Sequence, residues 1–397
     1  MVTATTFADL GVSEPVARAL AEAGIHRPFP VQALALPDAL AGRDVLVRSP
    51  TGSGKTLAFA VPIVERLGPD APTPSALVLA PTRELAAQVA EAAGAPARAR
   101  GLAVAVAYGG VPLREQARAA ARAHVLVATP GRLEDLAGRR LVDLSRVSVL
   151  VLDEADRMLD LGFQPQVDRI VRRLPRERQT MFFSATLDGE VGRLARAYTR
   201  GPARHEVAAP VPTAPGADHR FLPVEAHGKV DALVELLAGE RGMALVFVRT
   251  KRGADRLSRR LRSRGVAAEA LHGDLAQAAR ERALARFATG AVDTLVATDV
   301  AARGLDLEAI THVVNFDPPE DDKGYVHRVG RTARAGRPGT GVTFVTPEQR
   351  GDVGRMAARL DLREAFTGEG MAIPPPRVVF SGSKGRRSML RKPTRPR

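Results

Sequence analysis

Ser49-Pro50-Thr51-Gly52-Ser53-Gly54-Lys55-Thr56 follows a short apolar run at 44–48 and precedes an apolar stretch with helical spacing. That is the setting in which a glycine-bearing loop binds phosphate. Small residues let successive backbone N–H groups converge on phosphate oxygens at a helix N-terminus; a lysine then neutralises the β and γ phosphates and a hydroxyl reaches Mg²⁺. Lys55 and Thr56 take those two places, and Ser49 stands where the common pattern has its first glycine. Further along, Asp153-Glu154-Ala155-Asp156 ends a second apolar run, Val149-Leu150-Val151-Leu152. Carboxylates there emerge at the carboxyl edge of a sheet, where ligands of α/β sheets bind. One carboxylate can hold a metal through its water shell, and its neighbour can polarise the water that attacks a γ-phosphate. Alone, the tetrapeptide could equally be an acidic helix cap; together with the phosphate loop it points to nucleotide hydrolysis. His327-Arg328-Val329-Gly330-Arg331-Thr332-Ala333-Arg334 puts three guanidinium groups at intervals of three, which aligns them if the segment is helical. Such a face offers its charge either to solvent or to phosphate.

These groups need a scaffold, and 397 residues with a 45% hydrophobic share exceed what one core usually supports. Short apolar runs at 44–48, 76–80, 125–129, 149–153 and 180–184, and again at 244–248, 294–298, 312–316 and 341–345, alternate with amphipathic stretches. The alternation predicts two α/β domains, each an open, mostly parallel sheet flanked by helices. Residues 208–217 (Ala-Ala-Pro-Val-Pro-Thr-Ala-Pro-Gly-Ala) lack apolar periodicity and are expected to be a linker between domains at 1–207 and 218–373. Residues 374–397 carry eight Lys or Arg and no acid, over half of the net charge of +14. They are expected to form a short disordered basic tail.

Composition removes several chemistries. With no cysteine, disulfides, thiolate metal sites and thiol catalysis are excluded. The eight histidines are scattered, so a hard metal held by oxygen is expected rather than zinc. No apolar run approaches the roughly 18 residues of a membrane helix and the N-terminus lacks the pattern of a signal peptide, which predicts a soluble, cytoplasmic protein with no membrane partner. A pI near 11 points to a polyanionic partner.

Asp153 to Asp156, followed by Arg-Met-Leu-Asp-Leu-Gly-Phe at 157–163, resembles the name-giving motif of the DEAD-box RNA helicases. Further matches come in order: Pro81-Thr82-Arg83-Glu84-Leu85, Gly109-Gly110, Thr129-Pro130-Gly131-Arg132 and Ser184-Ala185-Thr186, then Val246 to Thr250, His272-Gly273-Asp274 with Gln277 and Arg280, 297–306, and 327–336. The resemblance spans almost everything from Phe7 to Val345 and implies two tandem RecA-like domains and ATP-dependent RNA helicase activity. It implies that the loop Ser49 to Thr56 binds ATP, with Lys55 and Thr56 on phosphate and Mg²⁺, that Asp153 holds the metal through water, and that Glu154 activates water. It assigns Gln32 to the adenine edge and Phe7 to stacking on the ring, with Phe29 standing where the family has Thr. Arg331 and Arg334 become arginine fingers reaching the γ-phosphate from the second domain, and Asp306 reaches the nucleotide from the same side. Ser184, Ala185, Thr186, Asp156, His327 and Arg328 become the link between hydrolysis and unwinding.

By the same resemblance Pro81, Thr82, Arg83, Gly110, Thr129, Pro130, Gly131 and Arg132, with Thr250, Gly273, Arg280, Thr298 and Asp299, hold the RNA backbone. Hydroxyls, glycine N–H groups and arginines grip phosphate and sugar without reading bases, so low sequence specificity follows. Aromatics make up only 4% of the chain, which makes base stacking minor. A strand gripped by two domains that close on ATP is bent, and local strand separation or ribonucleoprotein remodelling by a monomer is the expected output. An ATP-gated RNA clamp without efficient unwinding, or a DNA-directed helicase, would share these motifs.

Overall fold

The computed structural model describes residues 5–49, 53–207, 217–239, 242–302, 310–333 and 338–373. The expected linker, apart from Ala217, and the basic tail lie outside the described residues, as do Pro50, Thr51, Gly52, Asp306 and Arg334.

Seven strands, β1 (Val45–Arg48), β2 (Ala76–Leu79), β3 (Val104–Ala107), β4 (Val125–Ala128), β5 (Val149–Leu152), β6 (Gln179–Ser184) and β7 (Ala203–Glu206), form one sheet in the order β3-β4-β2-β5-β6-β1-β7. Six more, β8 (Ala217–Pro223), β9 (Met243–Phe247), β10 (Ala268–Leu271), β11 (Thr294–Ala297), β12 (Ile310–Asn315) and β13 (Gly339–Val345), form a second sheet in the order β10-β11-β9-β12-β13-β8. Every pairing is parallel. Ala217, counted with the linker from sequence, is already the first residue of β8 and pairs with Gly339.

The central strands are buried on both faces, and their side chains are sorted by size. In β2, β4 and β5 the valines Val78, Val125, Val127, Val149 and Val151 face one apolar cluster, while Leu77, Leu79, Leu126, Leu150 and Leu152 face another. Alternation along a strand sends neighbours to opposite faces, so a Val-Leu-Val-Leu run fills two cores at once. The second sheet repeats this: Ala244, Val246 and Val296 face one cluster, Leu245, Phe247 and Leu295 the other. Each core residue removes apolar area from water worth about 1.5–3 kcal/mol for a Val or Leu side chain.

Strand order decides which loops meet. β1 and β2 are consecutive in the chain but β5 and β6 lie between them. The carboxyl ends of β4, β2, β5, β6 and β1 therefore line up Thr129, Pro81, Asp153, Ser184 and Ser49 along one edge. In the second sheet, β10, β11 and β9 deliver His272, Thr298 and Val248 to the corresponding edge. No helix among the described residues is long and apolar enough to cross a membrane.

Candidate active site and nucleic-acid interface

Gly54 caps the helix Lys55–Arg66, which is buried from Leu57 to Val64 and so fixes the helix's first turn, with Lys55, against the core. Gly54 has φ +86°, and a Cβ there would lie 2.6 Å from the Phe29 ring and 2.8 Å from Gln32 Nε2, so only glycine fits. Lys55 Nζ donates to the Ser49 carbonyl at 3.3 Å, and the hydroxyls of Ser49 and Ser53 are 2.9 Å apart. Gln32 is buried; its side-chain oxygen accepts from Phe29 N–H and its amide donates to the Gly54 carbonyl, both at 2.9 Å. These bonds strut the loop against the helix Pro30–Leu40, and what remains for a base is one N–H and one lone pair. Phe7 departs from expectation. It is 3% exposed and packed into the first apolar cluster, so its ring shows no open face; the aromatic that stands open beside the loop is Phe29, 52% exposed.

Asp153 and Glu154 follow β5 directly and are almost wholly buried. Asp153 Oδ1 has no hydrogen-bond partner, and burial pushes the carboxyl up to about 7 against the opposing pull of the Lys55 ammonium. A desolvated oxygen with an unused lone pair beside a phosphate loop is suited to a divalent cation or its water shell. Among the described residues no group of three or more His, Asp or Glu side chains converges to hold a metal; a divalent cation bound beside Asp153 would need further oxygen ligands, for which phosphate, water and a hydroxyl are suited. Glu154 has left-handed backbone at φ 50°, ψ 50°, and Arg157 Nη1 donates to its Oε2 at 2.9 Å with both side chains buried.

Ser184, at the end of β6, accepts through Oγ from the N–H groups of Asp156 and Thr186, each at 3.3 Å. Sequence reasoning grouped Ser184, Thr186 and Asp156, and the structure brings them together. Two other expectations change. The helix carrying His327 and Arg328 ends at Val329, with Gly330 as its cap, so Arg331 lies beyond it and does not share a helical face with Arg328. Arg331 is nonetheless buried. Arg328 is committed within its own lobe: Nε and Nη2 donate to the two Asp299 oxygens at 2.5 and 2.6 Å, and Nη1 donates to Asn315 Oδ1 and the Asp317 carbonyl. Asp299, expected on RNA, thus holds Arg328, and the pair staples the ends of β11 and β12.

The expected RNA-backbone residues line the two carboxyl edges. Thr82 and Thr250 stand at equivalent places after β2 and β9, and each caps the helix that follows by accepting from the Leu85 or Gly253 N–H. Gly110, φ +90°, lets Arg83 approach so closely that a Cβ would fall 2.5 Å from its Nη1. Gly131 has open space where a side chain would project, Gly273 is exposed, and Thr129 and Thr298 are buried beside their strand ends. Pro130 opens the helix that carries Arg132, whose Nη1 donates to the Val111 carbonyl and Gln116 Oε1.

Arg83 and Arg280 do something the sequence did not indicate. Arg83 Nη1 donates to Gln277 Oε1 at 2.9 Å across the lobes, and Arg280 Nη2 lies 2.7 Å from Glu84 Oε1 with both side chains under 10% exposed. The second contact is a charge contact off the hydrogen-bond direction, since Glu84 Oε1 accepts no well-directed bond. Lys323 and Asp160 make a third, half-exposed bridge at 3.6 Å. Breaking a buried pair leaves one charge uncompensated at a cost of about 3–5 kcal/mol. Glu84→Ala is therefore expected to disfavour lobe contact and to lower RNA-stimulated kcat/KM for RNA by about 10²- to 10³-fold. The midpoint of denaturant unfolding of the first lobe should hardly move. Unchanged RNA stimulation would show that the contact contributes nothing to closure.

Residues 29–194 match the DEAD/DEAH box helicase family and residues 228–336 the helicase conserved C-terminal domain. The chain is 44% identical to the DEAD-box ATP-dependent RNA helicase CshA of Bacillus licheniformis over 350 residues, covering 87% of this chain and 71% of that protein. The chain belongs to the DEAD-box helicases. The same helicase of Geobacillus kaustophilus is 45% identical over 88% of this chain and 75% of its own length. Saccharomyces cerevisiae Dbp5 bound to RNA and ADP-BeF3 superposes with a TM-score of 0.79 at 30% identity, covering 92% of this chain and 94% of that one. For a DEAD box protein from Methanococcus jannaschii the TM-score is 0.52 at 32% identity, covering 90% and 97%. The two sheets of this DEAD-box protein are thus tandem RecA-like domains.

Proposed function

We propose that this DEAD-box protein is an ATP-dependent RNA helicase whose hydrolytic pocket is divided between its lobes, so that ATP and RNA together assemble it. The observation that carries this reading is that residues following β2 in the first sheet meet residues following β10 in the second. The first places the phosphate loop, Asp153, Glu154 and Ser184 side by side, and the second lobe touches it through Arg280 and Gln277. The greater likeness to RNA- and nucleotide-bound Dbp5 than to the Methanococcus jannaschii protein supports a lobe placement suited to a bound strand.

In the reading we favour, Lys55 and the loop N–H groups hold the ATP phosphates, and Thr56 and Asp153 hold Mg²⁺. When bound, the metal neutralises charge on the phosphate oxygens. Glu154 accepts a proton from the water that attacks the γ-phosphate, and Arg331 approaches that phosphate from the second lobe. Ser184, bonded to the Asp156 and Thr186 N–H groups, relays phosphate occupancy to the lobe boundary. Thr82, Gly110, Thr129, Gly131, Thr250, Gly273 and Thr298 offer the RNA backbone hydroxyls and N–H groups that ignore base identity.

ATPase activity measured with and without single-stranded RNA tests the proposal. Stimulation of about 10-fold or more by RNA is expected, because transition-state charge stabilisation is absent until the lobes meet. Equal stimulation by DNA of the same length would reassign the substrate, and turnover that releases no strand from a short duplex would favour a clamp. Deleting residues 374–397 is expected to weaken RNA binding and flatten its salt dependence, with each lost phosphate contact reducing the log–log slope by roughly 0.7–0.9. A filter-binding titration with an unchanged slope would remove the tail from the interface.

A further inference from the structure

We propose that Arg157 is a positioning residue for the water-activating carboxylate, fixing which oxygen of Glu154 is offered to water; the proposal rests on Glu154 being that base. Three buried carboxylates, Asp153, Glu154 and Asp156, crowd into four consecutive positions, each no more than 3% exposed. Arg157, the next residue, brings its guanidinium to one of them, Glu154. Arg157 is 2% exposed and among the largest fully buried side chains of the molecule. Burying a guanidinium is unfavourable unless it meets an opposite charge, and Nη1 meets one in Glu154 Oε2 at 2.9 Å. A residue that served only to fill the helix Ala155–Asp160 could be apolar, as Met158 one position later is.

The local backbone sets up this side-chain contact. Glu154 is a non-glycine residue at φ 50°, a conformation kept only where its surroundings enforce it. Arg157 N–H donates to both the Glu154 carbonyl and Asp156 Oδ1, at 2.9 and 3.1 Å, closing the first turn around the strained residue. With Oε2 held by the arginine, Oε1 is the oxygen left to accept a proton from water. Without Arg157 the carboxylate is free to rotate about its last torsion, which is broad and roughly two-fold. A base misplaced by about 1 Å can lose on the order of 10²-fold in rate. ATP and RNA are held by other residues, so their affinities stay close to those of the parent.

The test uses the full chain, saturating single-stranded RNA and single-turnover hydrolysis, with ATP and RNA affinities measured alongside. Arg157→Met, which keeps bulk and removes charge, should lower the hydrolysis rate by about 10²-fold at nearly constant affinities. Arg157→Lys should recover part of that loss, and Arg157→Met should add almost nothing in a Glu154→Gln background, because it acts through the removed carboxylate. Losses that multiply in the double variant, or KM rising in step with the fall in kcat, overturn the proposal and make Arg157 a packing residue. If Arg157→Met does not fold, Arg157→Lys decides: a lowered kcat at constant KM supports positioning, and an unchanged kcat rejects it. Near-parent turnover in Glu154→Gln alone would instead remove Glu154 as the base, a separate failure.

Discussion

Glu154→Gln is expected to cut RNA-stimulated ATP turnover by about 10²- to 10⁴-fold while ATP and RNA affinities stay within a few-fold of the parent. The substitution keeps shape and an accepting oxygen but removes the basicity that takes a proton from water. Because Asp153, Lys55 and the loop remain, phosphate binding is retained. Arg157 keeps an acceptor in the new amide, which limits the penalty of burying its charge, so the fold should survive. The closed complex, unable to hydrolyse, should also hold RNA longer in the presence of ATP. Rapid-quench hydrolysis and a competition chase of labelled RNA measure the two effects. Turnover within about 10-fold of the parent would show that another group activates the water.

The strands visible as apolar runs in the sequence are the interior ones. β3, β7, β8 and β10, which the sequence reading did not single out, are the four edge strands of the two sheets. For three of them the residues explain why. Ala-Arg-His-Glu in β7, Ala-Asp-His-Arg-Phe-Leu-Pro in β8 and Ala-Glu-Ala-Leu in β10 carry charge and bury only part of their length, whereas β3, Val-Ala-Val-Ala, is apolar though mostly half-buried and was legible but not read. A strand with one unpaired side facing solvent carries charge and loses the continuous apolar signature on which such readings depend.

At the site, what could be read was what is local. The loop Ser49 to Thr56 and the carboxylates after β5 are each a contiguous stretch whose chemistry follows from residue order. Partners were not legible, because a motif says which residue is polar and not what satisfies it. Arg83 meets Gln277 194 positions away, and Arg328 meets Asp299 29 positions away, although Arg83 and Asp299 were expected on RNA, Arg328 in coupling, and Gln277 only as part of a motif. Glu84 and Arg157 lay inside quoted motifs without a role, and only burial and proximity reveal their charges as paired. The helical alignment of Arg328 and Arg331 failed because Gly330 ends the helix between them.

That break matters for the other large effect. Arg331→Ala is expected to lower RNA-stimulated kcat by about 10³-fold or more, the range associated with losing an arginine finger in phosphoryl transfer. Arg331 lies on the turn after the helix Asp322–Val329, beside Thr332, whose hydroxyl donates to the Ile310 carbonyl at 2.7 Å and anchors the turn to β12. A guanidinium on an anchored turn costs little reorganisation when phosphate charge develops, which is what makes such a group effective. Lysine cannot reproduce its planar fork, so Arg331→Lys should rescue poorly. The contrast with Glu154→Gln is diagnostic: losing the base should leave closure intact and prolong RNA retention, whereas losing Arg331 removes a contact that favours closure and should shorten it. Retention prolonged equally in both variants would mean that Arg331 does not reach the nucleotide across the lobes, and the divided pocket would need a different cation from the second lobe.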